Sequence, residues 1–326
     1  MPPRDPRRAF TAAVDALAAQ LRGDTSILAA ILGGSLAHDT VWDKSDVDLV
    51  LITIDEAKIA ADSISLYADG VNVHAMLITR AAFRKLVQGS LQNSFMHSFL
   101  AKGRLLYTHD QTIAQLCDTL HTLGERDREL QLLRAATAAL GPLYKAHKWL
   151  ITRGDLDYAA LWLLYTATPL AMIEVIGAGR VAGREVIPEA LTLNPAVFSA
   201  IYTSLLHQPV TRARIDTALA TVDRYLADRT PALFAAVFKY LRDAGEARGC
   251  AEIEHHFTRT LGVDGVTIAC EYLADQRLIG KVSLPVRLTK RSTAMVQELA
   301  FVHLQPAADP LDDEHWEPGE PGTGRR

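Results

Sequence analysis

Residues 33–48 read Gly-Gly-Ser-Leu-Ala-His-Asp-Thr-Val-Trp-Asp-Lys-Ser-Asp-Val-Asp, and the fold is decided by how this stretch is read. Upstream, SILAAIL reads as a buried strand stopped by glycines. Downstream, SDVDLVLITI is a second strand, rich in β-branched residues. Alternate residues on a strand share a face, so Asp46 and Asp48 project together while Val47 turns into the core. Two carboxylates on one face repel each other unless a cation sits between them. Magnesium is the natural neutraliser, because it takes oxygen ligands and shares them with nucleotide phosphates. A pair of such ions can clamp the attacking and leaving oxygens of a phosphoryl displacement. Gly33, Gly34 and Ser35 suit the phosphate itself: glycines let backbone N–H groups approach closely, and Ser35 adds a hydroxyl. Alone, a Gly-Gly-Ser is usually a turn and an Asp-x-Asp a solvated strand face. Joined at fixed spacing by a polar connector, with the aspartates on an otherwise apolar strand, they point to a metal and phosphate site.

Working outward, residues 8–22 show helical apolar spacing. Residues 64–79 split at Asp69-Gly70, the strongest short hairpin signal, and 103–110 supply a last strand. The order helix, strand, turn, strand, helix, hairpin predicts a small mixed sheet with helices on it, within residues 1–115. From 116 to 230 the period is helical, with breaks expected at Gly154, Pro169, Gly177 to Gly183, Pro195 and Pro209. From 231 to 304 the texture suggests helices at 232–244, 250–262 and 263–278. Two short strands at 279–284 and 285–290 and a closing helix at 292–304 follow. Three helices and a hairpin is the order of a winged helix-turn-helix. The Pro-, Gly- and acid-rich tail, 305–326, cannot bury enough apolar surface to fold and is expected to be disordered. The predicted class is α+β: a mixed sheet with helices, a helical bundle, then a winged helix.

The spacing GGS-x10-DVD resembles that of the minimal and kanamycin-type nucleotidyltransferases of the DNA polymerase β superfamily. The motif covers residues 33–48, and the resemblance in element order reaches about residue 110. The helical segment behind it is similar in placement to the bundle of the kanamycin-type enzymes. The resemblance implies transfer of a nucleoside monophosphate from an NTP to an acceptor, with pyrophosphate released. It implies that Gly33, Gly34 and Ser35 hold the triphosphate and that Asp46 and Asp48 bind Mg²⁺ or Mn²⁺, with ATP the expected donor. It also suggests that a lysine of the bundle, Lys145 or Lys148, reaches the triphosphate; a solvated basic face is the other reading of YKAHK. Many members supply a third carboxylate from a later strand. The matching strand here, Val71-Asn72-Val73-His74-Ala75, has none. Asn72 and His74 share a face, and His74 is the candidate base or ligand, or else a hydrogen-bonded structural histidine. Asp155 and Asp157 are alternative carboxylates from the helical segment.

Composition bounds the rest. The 326 residues suffice for two or three domains, and a net charge of −4 means that nucleic acid would be met only by a local basic patch. Such a patch exists: Lys281, Arg287, Lys290 and Arg291 occur with no acid between 279 and 293. The preceding helix has Asp264, Glu271 and Asp275 against Arg277, a net of −2, which is poor for phosphates. A wing-led contact with DNA and a purely structural or protein-binding winged helix both fit. Cys117, Cys250 and Cys270 form no CxxC pair and read as buried reduced thiols. The longest apolar run, Tyr158 to Ile176, contains Pro169 and Glu174 and reads as a core helix, so no membrane partner is expected. The N-terminal residues lack a secretory apolar segment, and the expected location is cytoplasmic. Two functions fit: a nucleotidyltransferase acting on an unidentified small or macromolecular acceptor, or a catalytically silent nucleotide-binding regulator joined to a DNA-binding winged helix.

Overall fold

The computed structural model describes residues 6–37, 41–55, 62–90, 99–120, 125–183 and 185–304. The class is mixed α+β. A five-stranded sheet, in the order β3-β4-β2-β1-β5, is built from β1 (Ile27–Gly33), β2 (Val47–Thr53), β3 (Ser63–Ala68), β4 (Val71–Thr79) and β5 (Arg104–Thr108). Strands β2 and β4 run parallel; the other pairs are antiparallel. The Asp69-Gly70 hairpin forms where the sequence predicts it, with both residues at positive φ (47° and 85°), as a tight primed turn demands.

Side-chain alternation gives the sheet two apolar faces. On one, α1 (Pro6–Arg22) buries Phe10, Ala13, Val14 and Ala18 against Leu32, Val47, Leu49 and Val73. On the other, Ala29, Ile31, Val50 and Ile52 pack with Phe83 of α3 (Arg80–Ser90) and Ile113 of α4 (Gln111–Thr119). A four-residue helix, α2 (Gly34–Ala37), follows β1 directly.

Beyond the sheet, α5 (Glu125–Arg153) and α6 (Leu156–Gly177) form a long antiparallel pair. Gly154 turns the chain at φ +62°, and the Asp155 carboxylate accepts from the Tyr158 N–H to cap α6. The break expected at Pro169 does not occur: α6 continues through it. Pro169 leaves the Tyr165 carbonyl without its helical partner, and burial of Leu163, Ala167, Leu170 and Ala171 in the core carries the helix past it. Among the described residues α6 is the one helix long and apolar enough to cross a membrane. It is instead a core helix, with 61% of its apolar window buried. Its Glu174 accepts from Tyr225 Oη at 2.7 Å and Asn194 Nδ2 at 3.3 Å, which satisfies a carboxylate at the core's edge.

Then come α7 (Val186–Leu193), α8 (Arg212–Ala227) and α9 (Ala235–Ala244). The last segment has a short β6 (Arg248–Gly249), α10 (Cys250–His256) extended by a π-turn, α11 (Val266–Asp275), β7 (Ile279–Arg287) and β8 (Met295–His303). Two expectations are corrected here. Residues 292–304 do not close the chain as a helix; most of them form β8, which pairs with β6 on one side and β7 on the other. Ala, Met, Gln, Glu and Leu favour a helix locally, but burying Ala300 and Phe301 between two strands outweighs that preference. Nor are 279–290 two strands: β7 is continuous through Pro285. The sheet order β6-β8-β7 leaves β7 at an edge, where a missing N–H costs little. One apolar core runs from Leu132 to Phe301, so the helical region and the C-terminal elements share it. The expectation for the 305–326 tail lies outside the described residues.

Candidate functional site

The site candidates of the sheet converge at one corner. Gly33 ends β1 and stands opposite Asp48 in the antiparallel register. Asp48 stands beside His74 in the parallel register with β4. Val47 between the aspartates is fully buried, so it fixes the alternation that puts Asp46 and Asp48 on the other side. Asp46 is exposed one residue ahead of the strand, and Asp48 is half-buried. His74 and Asn72 are both exposed, while Val71, Val73 and Ala75 are buried.

The two glycines are required by close approach. Gly34 takes φ +66°, and a Cβ there would lie 2.0 Å from Asp48 Oδ2. A Cβ on Gly33 would lie 2.1 Å from the Phe99 ring. The Asp48 carboxylate therefore rests on the Gly34 backbone, and no L side chain fits beneath it. The Gly33–Ser35 turn and the Asp48 carboxylate form one surface.

Among the described residues, no three His, Cys, Asp or Glu side chains are grouped closely enough to hold a metal by themselves. The donor set fits a different arrangement. Magnesium is often held by one or two carboxylates and completed by substrate phosphates and water. Asp46 and Asp48 offer two such carboxylates at an open strand end.

The helical candidates lie on α5 and α6. Lys145 Nζ sits 4.1 Å from the centroid of the Trp162 ring, between α5 and α6. Lys148 is exposed on α5. His147, between them, pairs with Asp223 of α8 at 3.2 Å. Contacts between the sheet and the helical region occur in the segment after α6: Val181 packs on the sheet's second core, and Gly183 lies against Lys102. Asp155 is engaged as a helix cap, and Asp157 is exposed in the first turn of α6. Arg248 forms ion pairs with Glu246 and Glu252. Lys281, Arg287, Lys290 and Arg291 are all exposed on β7 and the turn after it. The cysteines are free; burial pushes the Cys117 thiol up to about 11 and that of Cys270 further still.

One pair near the corner escaped the sequence reading. Trp42 is 61% exposed, and Lys44 Nζ lies 5.8 Å from its ring centroid. The Ser45 hydroxyl accepts from the Trp42 N–H at 3.1 Å, which closes the turn that leads into Asp46. An aromatic and a lysine in an otherwise polar connector were the available signal.

No family model matches the sequence, and no curated protein matches it. Among solved structures, the chain is similar to a nucleotidyltransferase-like protein from Exiguobacterium sibiricum, with a TM-score of 0.60. The match covers 91% of this chain and 100% of that one, at 17% sequence identity. The chain has a nucleotidyltransferase-like fold. At that identity the likeness is one of fold, and it extends over the helical regions as well as the sheet, since it takes in nine-tenths of the chain.

Proposed function

We propose that this chain is an Mg-dependent nucleotidyltransferase that moves a nucleoside monophosphate from an NTP, with ATP the expected donor, to an acceptor. The observation that carries this reading is the register at the sheet corner: Gly33 opposite Asp48, Asp48 beside His74, and the Asp48 carboxylate seated on Gly34. Backbone N–H groups of Gly33 to Ser35 and the Ser35 hydroxyl bind the triphosphate. Asp46 and Asp48 hold the ion, and Trp42 offers an aromatic plane for the base. When bound there, the ion would supply positive charge against the phosphates. His74 accepts the proton from the acceptor nucleophile, whose lone pair forms a bond to the α-phosphorus as the bond to pyrophosphate breaks. Lys145 is left out of these steps because it is engaged by Trp162.

A second reading is favoured by the absence of a carboxylate on β4. In it the domain binds nucleotide without transferring it, and the C-terminal elements form a winged helix that meets DNA. Helices α9 to α11 followed by the β7–β8 hairpin have the order such a module needs. Purified protein incubated with α-labelled NTPs, Mg²⁺ and cell extract separates the two. Label moved to an acceptor by wild type, and reduced in His74→Ala, supports the enzyme. Bound but untransferred nucleotide supports the regulator.

A further inference from the structure

The corner of α5 and α6 carries a row of aromatic rings that the nucleotide site does not use. Trp149, Tyr158, Trp162 and Tyr165 follow one another with centroids 4.6, 6.2 and 5.3 Å apart. Each contact is edge-on, with interplanar angles of 64° to 80°. Tyr158 is 40% and Tyr165 56% exposed, so the row ends in open ring surface. Core packing explains Ala159, Leu163 and Ala167 on the buried side of α6 and the half-buried Trp162, but not Tyr158 and Tyr165 on the solvent side.

The α5 side of the row is basic in sequence. From residue 130 to 154 there is no acid, while Arg134, Lys145, Lys148 and Arg153 all fall there, in a chain of net charge −4. Lys145 lies over the Trp162 ring, and Lys148 and Arg153 are exposed on the same helix. Of the acids beside it, Asp155 is engaged as the cap of α6, Asp223 pairs with His147, and Asp157 is exposed next to Tyr158, so three cations outnumber the one acid left open. Aromatic planes flanked by cations are what an unpaired polynucleotide recognises. Bases stack on the rings whatever their sequence, and phosphates meet the cations. A duplex hides its base faces and gains only the charge. A protein partner would gain the apolar area but would have to desolvate these cations.

We propose that the α5–α6 aromatic row is a binding surface for single-stranded nucleic acid. It goes beyond the nucleotidyltransferase reading and stands whether or not Asp46 and Asp48 support transfer. The test is fluorescence anisotropy of the full-length protein with a labelled 15-nucleotide oligouridylate and with a duplex RNA of the same length. The single strand is expected to bind more tightly than the duplex. Tyr158→Ala with Tyr165→Ala should weaken binding at least tenfold, since one stacked base contributes about 1–3 kcal/mol. Tyr165→Phe keeps the ring and should bind like wild type. Lys145→Gln should flatten the salt slope by about 0.7. Equal binding by the double variant with unchanged circular dichroism would overturn the proposal. So would preference for the duplex. A concentration-dependent dimer abolished by the tyrosine substitutions, without RNA binding, would reassign the row to self-association.

Discussion

Gly34 carries the tightest constraint at the site. Two effects act on any substitution there: the positive φ, and a Cβ that would meet Asp48 Oδ2 at 2.0 Å. Gly70 separates them, because it has φ +85° with nothing within 4 Å of its added Cβ. Gly70→Ala should cost only the backbone term, about 1–2 kcal/mol. Gly34→Ala should cost more and should also displace the Asp48 carboxylate. Thermal melting of the two variants, with NTP titrations alongside, checks this; equal loss of stability and unaltered NTP binding would remove Gly34 from the site. The need for glycine was legible in the sequence as a Gly-Gly-Ser next to an Asp-x-Asp. That the second glycine lies directly against the second aspartate was not, because sequence gives no cross-strand register. Lys145 shows the opposite limit. Its charge and helix were legible, but its orientation over Trp162 depends on how α5 meets α6.

Elements whose local chemistry agreed with their tertiary setting were read correctly. The Asp69-Gly70 turn, β1, β2 and α1 all appear where glycines, β-branched runs and helical period put them. The misreading of β8 came where local preference and pairing conflict: its residues favour a helix, and the two flanking strands impose an extended chain. Pro169 was misread for a related reason: the local cost of a proline is outweighed by burial of the α6 face on both sides of it. Packing between elements also has a pH signature. His147 of α5 and Asp223 of α8 pair at 3.2 Å, and that hydrogen bond raises the histidine above its ordinary 6.5. A raised folded value means that the protonated ring stabilises the fold. The contribution is complete below about pH 6.5 and is lost as pH rises through the folded value. Both side chains are partly exposed, so the effect is small. Urea midpoints at pH 5.5 and pH 8 should converge by a measurable amount in His147→Gln relative to wild type. An identical pH dependence in the variant would mean that the pair contributes nothing.

On the scale of the whole molecule, a net charge of −4 confines any polyanion to local surfaces, and the exposed cations of β7 and the turn after it are the candidate for duplex DNA. Lys281, Arg287, Lys290 and Arg291 would make three or four phosphate contacts. At about −0.9 per contact, duplex binding should show a salt slope of roughly −3. Replacing the four by Ala should abolish duplex binding, whereas Arg277→Ala should change it little; a titration at two salt concentrations decides, and no binding at low salt would leave the C-terminal elements a packing role. The sheet corner bears most directly on function, and its central claim is that Gly33 to Ser35 with Asp46 and Asp48 hold Mg–NTP together. Calorimetric titration of ATP with and without Mg²⁺ measures this. Wild type should bind only with the metal, and Asp46→Asn and Asp48→Asn should each weaken binding about 10²-fold, or about 2.7 kcal/mol, with melting behaviour preserved. Binding that is independent of magnesium, or equal in the two variants and wild type, would contradict it.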